Sequence, residues 1–284
     1  MIEYDFASDF ILVRTALGIT QIELAKILGI TNVTLSKYES GKSAPKPIVA
    51  NALYRLAFKN GIDINLLKTR FFEDDAKGKK LLFHGSRSGI NGPIDLSHAS
   101  PTSDFGIGFY AGETLRQAAT WINEYAESSV YCFYLDTKGL KKMRFDVNRE
   151  WMIAVCLYRG YLKQFESHPT LIELRKRIES ADYIEAPIAD NVMYETMKEF
   201  SEGLLTDEQT LHAISANQLG YQFVLKNQLS LDALKPIAKL FLGQDERKKY
   251  GAVKEEERKN GISKLRLSRV QYQNKGSYID GIFS

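Results

Sequence analysis

Two short runs hold the residue types best suited to chemistry. The first is Leu81-Leu82-Phe83-His84-Gly85-Ser86. The second is Asp104-Phe105-Gly106-Ile107-Gly108-Phe109-Tyr110, followed by a helical stretch that carries Trp121. A histidine and a glycine at the end of an apolar strand can form a shelf for a sugar and an amide, or the histidine can simply be satisfied by backbone at the strand end. A Gly-x-Gly-aromatic-Tyr turn can bring an aromatic face close to such a shelf, or be only a tight turn, and Tyr110 and Trp121 can equally be core aromatics. Other chemistries lack their residues. No HExxH, GxSxG or phosphate-cradling P-loop occurs. The Gly106-x-Gly108 pair has neither the third glycine nor the βαβ setting of a dinucleotide fingerprint. His98, His168 and His212 have no ligand-like spacing and read as surface histidines, so no metal site is expected.

The elements that must position these residues follow from periodicity. Strands are expected at Lys80–His84, Ser129–Leu135, Tyr183–Ala186 and Tyr221–Leu225. Helices are expected at Leu115–Tyr125, Arg149–Tyr158, Leu171–Ser180, Asn191–Glu202 and Asp207–Ala213. Strands and helices do not alternate regularly, which argues against a doubly wound parallel sheet. The polar stretch 71–80 reads as a linker before this region, which extends over 81–240.

Six pieces in order resemble the bacterial family of domain of unknown function 3990, itself similar to ADP-ribosyltransferases of the diphtheria-toxin and poly(ADP-ribose) polymerase type. They are Phe83-His84-Gly85-Ser86, Asp104 to Tyr110, Gln117-Ala118 with Trp121, Glu150-Trp151, Asp182-Tyr183 with Ala186-Pro187-Ile188-Ala189-Asp190, and Asn217-Gln218. The resemblance implies NAD as substrate. His84 would bond the adenosine ribose and Gly85 the carboxamide. Tyr110 and Trp121 would enclose the nicotinamide ring, and Ser86 and Gly108 would complete the cofactor-binding set. His84, Tyr110 and Gln218 would form the catalytic set. Where active relatives carry a glutamate, this chain has Gln218, which can bond a ribose hydroxyl but supplies no charge to an oxocarbenium-like ribosyl cation. Nearby carboxylates that could compensate are Glu150, Asp182 and Asp190. Asp104 could serve the same end or cap the glycine turn.

Residues 1–70 read as compact and all-helical. Thr20 and Glu23 have capping-box spacing, Gly29 supplies a left-handed stop, Thr31 caps the next helix, and Ser40-Gly41 ends it. Two short helices joined by a glycine turn form a helix-turn-helix. The run Thr20 to Lys42 resembles the Cro/xenobiotic-response-element type of helix-turn-helix family. That resemblance places Asn32, Val33, Thr34 and Lys37 toward bases of double-stranded DNA and Gln21 toward a phosphate. Lys26, Lys37, Lys42 and Lys46 supply phosphate partners. A homodimer on a palindromic site is the usual arrangement, and a packing module that binds no DNA is the alternative.

The composition is that of a globular protein, 44% hydrophobic and 26% charged, with a weak net charge of +3. The expected fold class is α+β multidomain: an all-α helix-turn-helix domain, then an ADP-ribosyltransferase-like mixed α/β domain with a split antiparallel sheet. Cys132 and Cys156 lie in apolar surroundings and read as buried reduced thiols. No signal peptide or membrane span is read, which points to a cytoplasmic protein. Residues 241–284 form a charged extension whose first part looks like a solvated helix. It could contact nucleic acid, pack on a partner subunit, or remain a partly disordered surface arm. Besides a structural interaction protein with neither activity, two functions stay open. One is an NAD-dependent ADP-ribosyltransferase in a toxin–antitoxin or phage-defence setting, with an unknown macromolecular acceptor. The other is a transcriptional regulator whose degenerate transferase fold senses NAD or a related nucleotide without catalysis.

Overall fold

The computed structural model describes residues 2–97, 99–215, 219–273 and 275–284. Five helices come first: α1 Phe6–Ala16, α2 Gln21–Leu28, α3 Asn32–Glu39, α4 Pro47–Lys59 and α5 Ile64–Asp75. Then follow β1 Lys80–Ser86, β2 Phe109–Gly112, α6 Leu115–Ile122, β3 Ser129–Leu135, β4 Lys142–Arg144, α7 Arg149–Tyr158, α8 Pro169–Glu179, β5 Tyr183–Pro187, α9 Asn191–Ser201 and α10 Asp207–Ile214. The chain closes with β6 Tyr221–Leu225, α11 Gln228–Asp232, β7 Leu234–Leu240, α12 Gln244–Gln271 and α13 Ile279–Ile282. The stretch 71–80 thus holds the end of α5 and the start of β1. The chain packs as two compact units. One comprises Met1–Gly92, Thr114–Leu135 and Lys235–Ala252. The other comprises Pro93–Glu113, Asp136–Leu234 and Val253–Ser284.

In the first unit the N-terminal helices form as their caps dictate. Thr20 and Glu23 make a reciprocal capping box on α2, and Gly29 ends it at φ 67°. The Thr31 side chain accepts from the Thr34 amide at the start of α3, and Pro47 opens α4 where its missing N–H costs nothing. Phe10, Val13, Leu24, Leu35, Leu53, Ala57 and Ile64 fill the core between them. The same unit holds strands in the order β1-β3-β7. β1 and β3 are antiparallel with His84 opposite Tyr131, and α6 lies against β1 through Phe83, Ala118, Ala119 and Ile122.

Phe241, just after β7, joins the aromatic rings of Tyr4, Phe6 and Tyr54 on the helical core. Next to it, Asn65 donates to the Phe241 carbonyl and to Glu246 Oε2, both at 2.8 Å. Glu246 Oε1 is buried without a hydrogen-bond partner.

The second unit holds strands in the order β4-β5-β6-β2. β5–β6 and β6–β2 are antiparallel, and β4–β5 is parallel, with α7 and α8 between them in the chain. One sheet face packs on α7, whose residues from Trp151 to Leu157 are all buried. In the charged C-terminal region the described residues carry α12 and α13. Within this unit Leu265, Ile279 and Phe283 enter the core. Ser277 exchanges backbone and side-chain bonds with buried Asp207, and Arg269 pairs with Glu199 at 2.6 Å. Cys132 and Cys156 are buried and unbridged. Among the described residues no helix is long and apolar enough to cross a membrane.

Burial, reinforced by Asp63, raises the Glu246 carboxyl to about 8. A raised carboxyl means the folded chain binds more protons than the unfolded chain between about pH 4.5 and 8, so stability falls as pH rises through that window. Glu246→Gln keeps the amide bond to Asn65 and removes the ionisation. Denaturant melts across pH 5 to 8 are expected to show a shallower decline for Glu246→Gln than for the parent, with the variant the more stable at the upper end.

Candidate functional site

His84, Gly85 and Ser86 end β1, half-buried, as the sequence pattern requires. Alternation puts Phe83 and Gly85 on the face that meets α6 and turns His84 to the other face. A methyl on Gly85 would lie 2.7 Å from the Ala118 carbonyl oxygen and 2.8 Å from Ile122 Cγ2. The helix therefore demands glycine there, whatever else the backbone does. Trp121 sits on the outer side of α6 and is 54% exposed, while its neighbours Ala118, Ala119 and Ile122 are buried.

In the second unit the glycine turn is held from several directions. Asp104 is 4% exposed. Its Oδ1 accepts from Arg159 Nε at 3.1 Å, Arg159 Nη2 at 2.7 Å and the Tyr194 hydroxyl at 2.8 Å. Its Oδ2 accepts from Gln222 Nε2 at 2.9 Å. The Arg159 guanidinium also stacks on Tyr194, 3.6 Å from its ring centre. Tyr110 on β2 packs against the core, and its hydroxyl accepts from the Phe105 amide and donates to the Gly106 carbonyl at 2.7 Å. Burial raises that phenol well above its ordinary value, so it stays a donor. Lys226 Nζ donates to the Phe105 and Ile107 carbonyls at 2.5 and 2.7 Å. Gly106 has φ 72°, and its missing side chain leaves room for the Tyr158 ring. At Gly108 a methyl would lie 2.5 Å from Val224 Cγ1.

Gln218 lies outside the described residues, as do Asn217 and His98. The carboxylates that could stand in for a glutamate have other partners. Glu150 pairs with Arg177. Asp182 accepts from the Lys141 amide and from Asn227, Asp190 caps α9, and both Asp104 oxygens are taken by Arg159, Tyr194 and Gln222. His168 caps α8 and packs on Phe283, and His212 stacks on Tyr272. Among the described residues no group of three His, Cys, Asp or Glu could hold a metal ion.

On the helix-turn-helix, Asn32, Val33, Ser36 and Lys37 face outward from α3 while Leu35 and Tyr38 are buried. Val33 is 66% exposed, an apolar side chain with no packing duty. Thr34 is half-buried and its hydroxyl bonds that of Thr31 at 2.8 Å. Gln21 reaches across to Glu39 at 2.6 Å, where Arg14 also bonds, so its amide ties α2 to α3. Ser36 joins this outward face although no sequence pattern marks it, and its exposure on α3 is the only signal for it.

Comparison with known families gives two matches. The family described as "Protein of unknown function (DUF3990)" matches residues 81–235, and the one described as "Helix-turn-helix" matches residues 12–54. No curated protein and no solved structure matches the chain.

Burial brings the Lys226 ammonium down to about 8. Between about pH 8 and 10 the unfolded chain keeps a proton that the folded chain has released, so this group makes stability rise with pH in that window. Lys226→Met removes the titration. The difference in unfolding midpoint between parent and variant is expected to change across pH 8 to 10. A constant difference would mean that Lys226 does not titrate there.

Proposed function

We propose that this chain, which belongs to the DUF3990 family, binds NAD through its 81–240 region and transfers the ADP-ribosyl group to a macromolecular acceptor. What supports this best is a local order of elements. A strand ends in His84-Gly85-Ser86, a pinned glycine turn leads into a strand carrying Tyr110, and the next helix carries exposed Trp121. Opening the nicotinamide–ribose bond needs a held ring, held ribose hydroxyls and stabilisation of a developing cation. In this reading Tyr110 and Trp121 hold the ring, Gly85 and Ser86 the carboxamide, and His84 a ribose. Gln218 holds the other ribose, and Gly108 lets the turn approach.

A second reading has a specific observation behind it. Glu150, Asp182, Asp190 and Asp104 all have structural partners, so none stands ready to replace the charge that Gln218 lacks. A site built this way would bind NAD and report on it without consuming it.

The chain carries a helix-turn-helix domain, which makes a fusion of the transcription-regulator kind. In our reading Asn32, Val33 and Lys37 touch base edges. A dimer would read an inverted repeat, and a toxin–antitoxin or phage-defence setting would suit the pairing.

DNA binding is tested on the full chain with a fragment spanning its own promoter at fixed salt. The double variant Asn32→Ala/Lys37→Ala is expected to bind more weakly, by about 1–3 kcal/mol for each base-specific hydrogen-bonding pair removed. Equal affinity would remove α3 as the reading helix. Catalysis is tested by nicotinamide release from NAD. His84→Ala is expected to lose roughly a hundredfold in rate, as a misplaced substrate does. Gln218→Ala should lose sharply, and Gln218→Glu should retain or raise turnover. A parent no faster than His84→Ala, with NAD still bound, would retire the transferase in favour of the sensor.

A further inference from the structure

One exposed cation beside the β1 end has no role in the function above. Arg87 follows Ser86, and its guanidinium carbon stands 4.5 Å from the centre of the Tyr125 ring. The backbone that carries this ring is tied on both sides. The Tyr125 amide donates to the Ile122 carbonyl at 3.1 Å. Its own carbonyl accepts from Ser128 Oγ and Arg247 Nη1, both at 2.6 Å. Ile122 is the residue that meets Gly85 across α6 and β1. Thus the same α6–β1 packing that meets Gly85 also carries the Arg87–Tyr125 pair. Among the described residues no ion pair holds Arg87.

A guanidinium lying on a ring keeps its N–H fork directed outward in a fixed plane, the geometry that two phosphate oxygens match. Gly85 and Arg87 are two residues apart, no more than about 7 Å at strand rise, and the arginine side chain reaches beyond that. A dinucleotide held by its nicotinamide amide at Gly85 runs through one ribose to a pyrophosphate over a comparable span. We propose that Arg87, braced by Tyr125, is the pyrophosphate-binding residue of the nucleotide site. This rests on the NAD reading and adds the group that would recognise the dinucleotide's charge.

The test is calorimetric binding of NAD to the full-length parent, Arg87→Ala and Arg87→Lys over a series of salt concentrations. Arg87→Ala is expected to bind NAD roughly ten- to a hundredfold more weakly, as loss of a charge-assisted bond implies. Its affinity should also depend less on salt, because the screened ion pair is gone. Arg87→Lys should regain part of the affinity at low salt. NAD binding by Arg87→Ala equal to the parent overturns the proposal. So does weaker binding with the parent's salt dependence, which would mark a merely structural effect. A parent that binds no NAD removes the underlying nucleotide reading as well, so the two failures are distinguishable.

Discussion

A carboxylate sealed from water must be met by donors of its own fold, and Asp104 imposes that demand on the second unit. Arg159 comes from the end of α7, Tyr194 from α9 and Gln222 from β6. Two helices and the sheet therefore converge on one residue of a loop. Stranding such a charge by deleting a partner typically costs about 3–5 kcal/mol, which is large against the total stability of a domain. The glycine turn that follows inherits this rigidity. Tyr110 and Lys226 occupy its carbonyls, so its shape is set without any ligand. A turn ordered in advance has little entropy left to lose when something binds beside it.

The glycines of the two motifs carry a different meaning from their side-chain neighbours. Gly85, Gly106 and Gly108 each sit where a methyl would collide with Ala118, Tyr158 or Val224. Packing alone accounts for them. The side chains that packing does not account for are the exposed ones, chiefly Trp121 on α6 and Arg87 after β1. Aromatic and arginine side chains are enriched, relative to the rest of the surface, where proteins meet partners.

Local signals are legible in the sequence, and long-range ones are not. The caps of α2 and α3 stand where Thr20, Glu23, Gly29 and Thr31 require them, because a cap depends on residues three or four positions apart. β3 and β6 are apolar runs and keep the expected bounds. The short strands β2 and β4 leave no such trace. Four residues after a glycine turn, and the three residues Lys142–Arg144, carry no periodicity of their own and become strands by pairing. β7 is hidden because Pro236 and the lysines beside it look unlike a strand, yet it is the outermost of its set, where proline is tolerated. The charged composition of the tail conceals how Ile279 and Phe283 enter the core. At the site, the motif residues can be named from sequence, but not what holds them. Asp104 finds its partners 55, 90 and 118 positions further along the chain, and no spacing rule reaches that far.

Phe241 completes the aromatic face of the N-terminal helices with Tyr4, Phe6 and Tyr54, although α5 ends at Asp75. This has a meaning in time. A ribosome adding about 5–20 residues per second finishes α5 on the order of ten to thirty seconds before it delivers Phe241. During that interval the nascent helices stand with an uncovered ring face. They are in reach of chaperones, of proteases and of one another on neighbouring chains of a polysome.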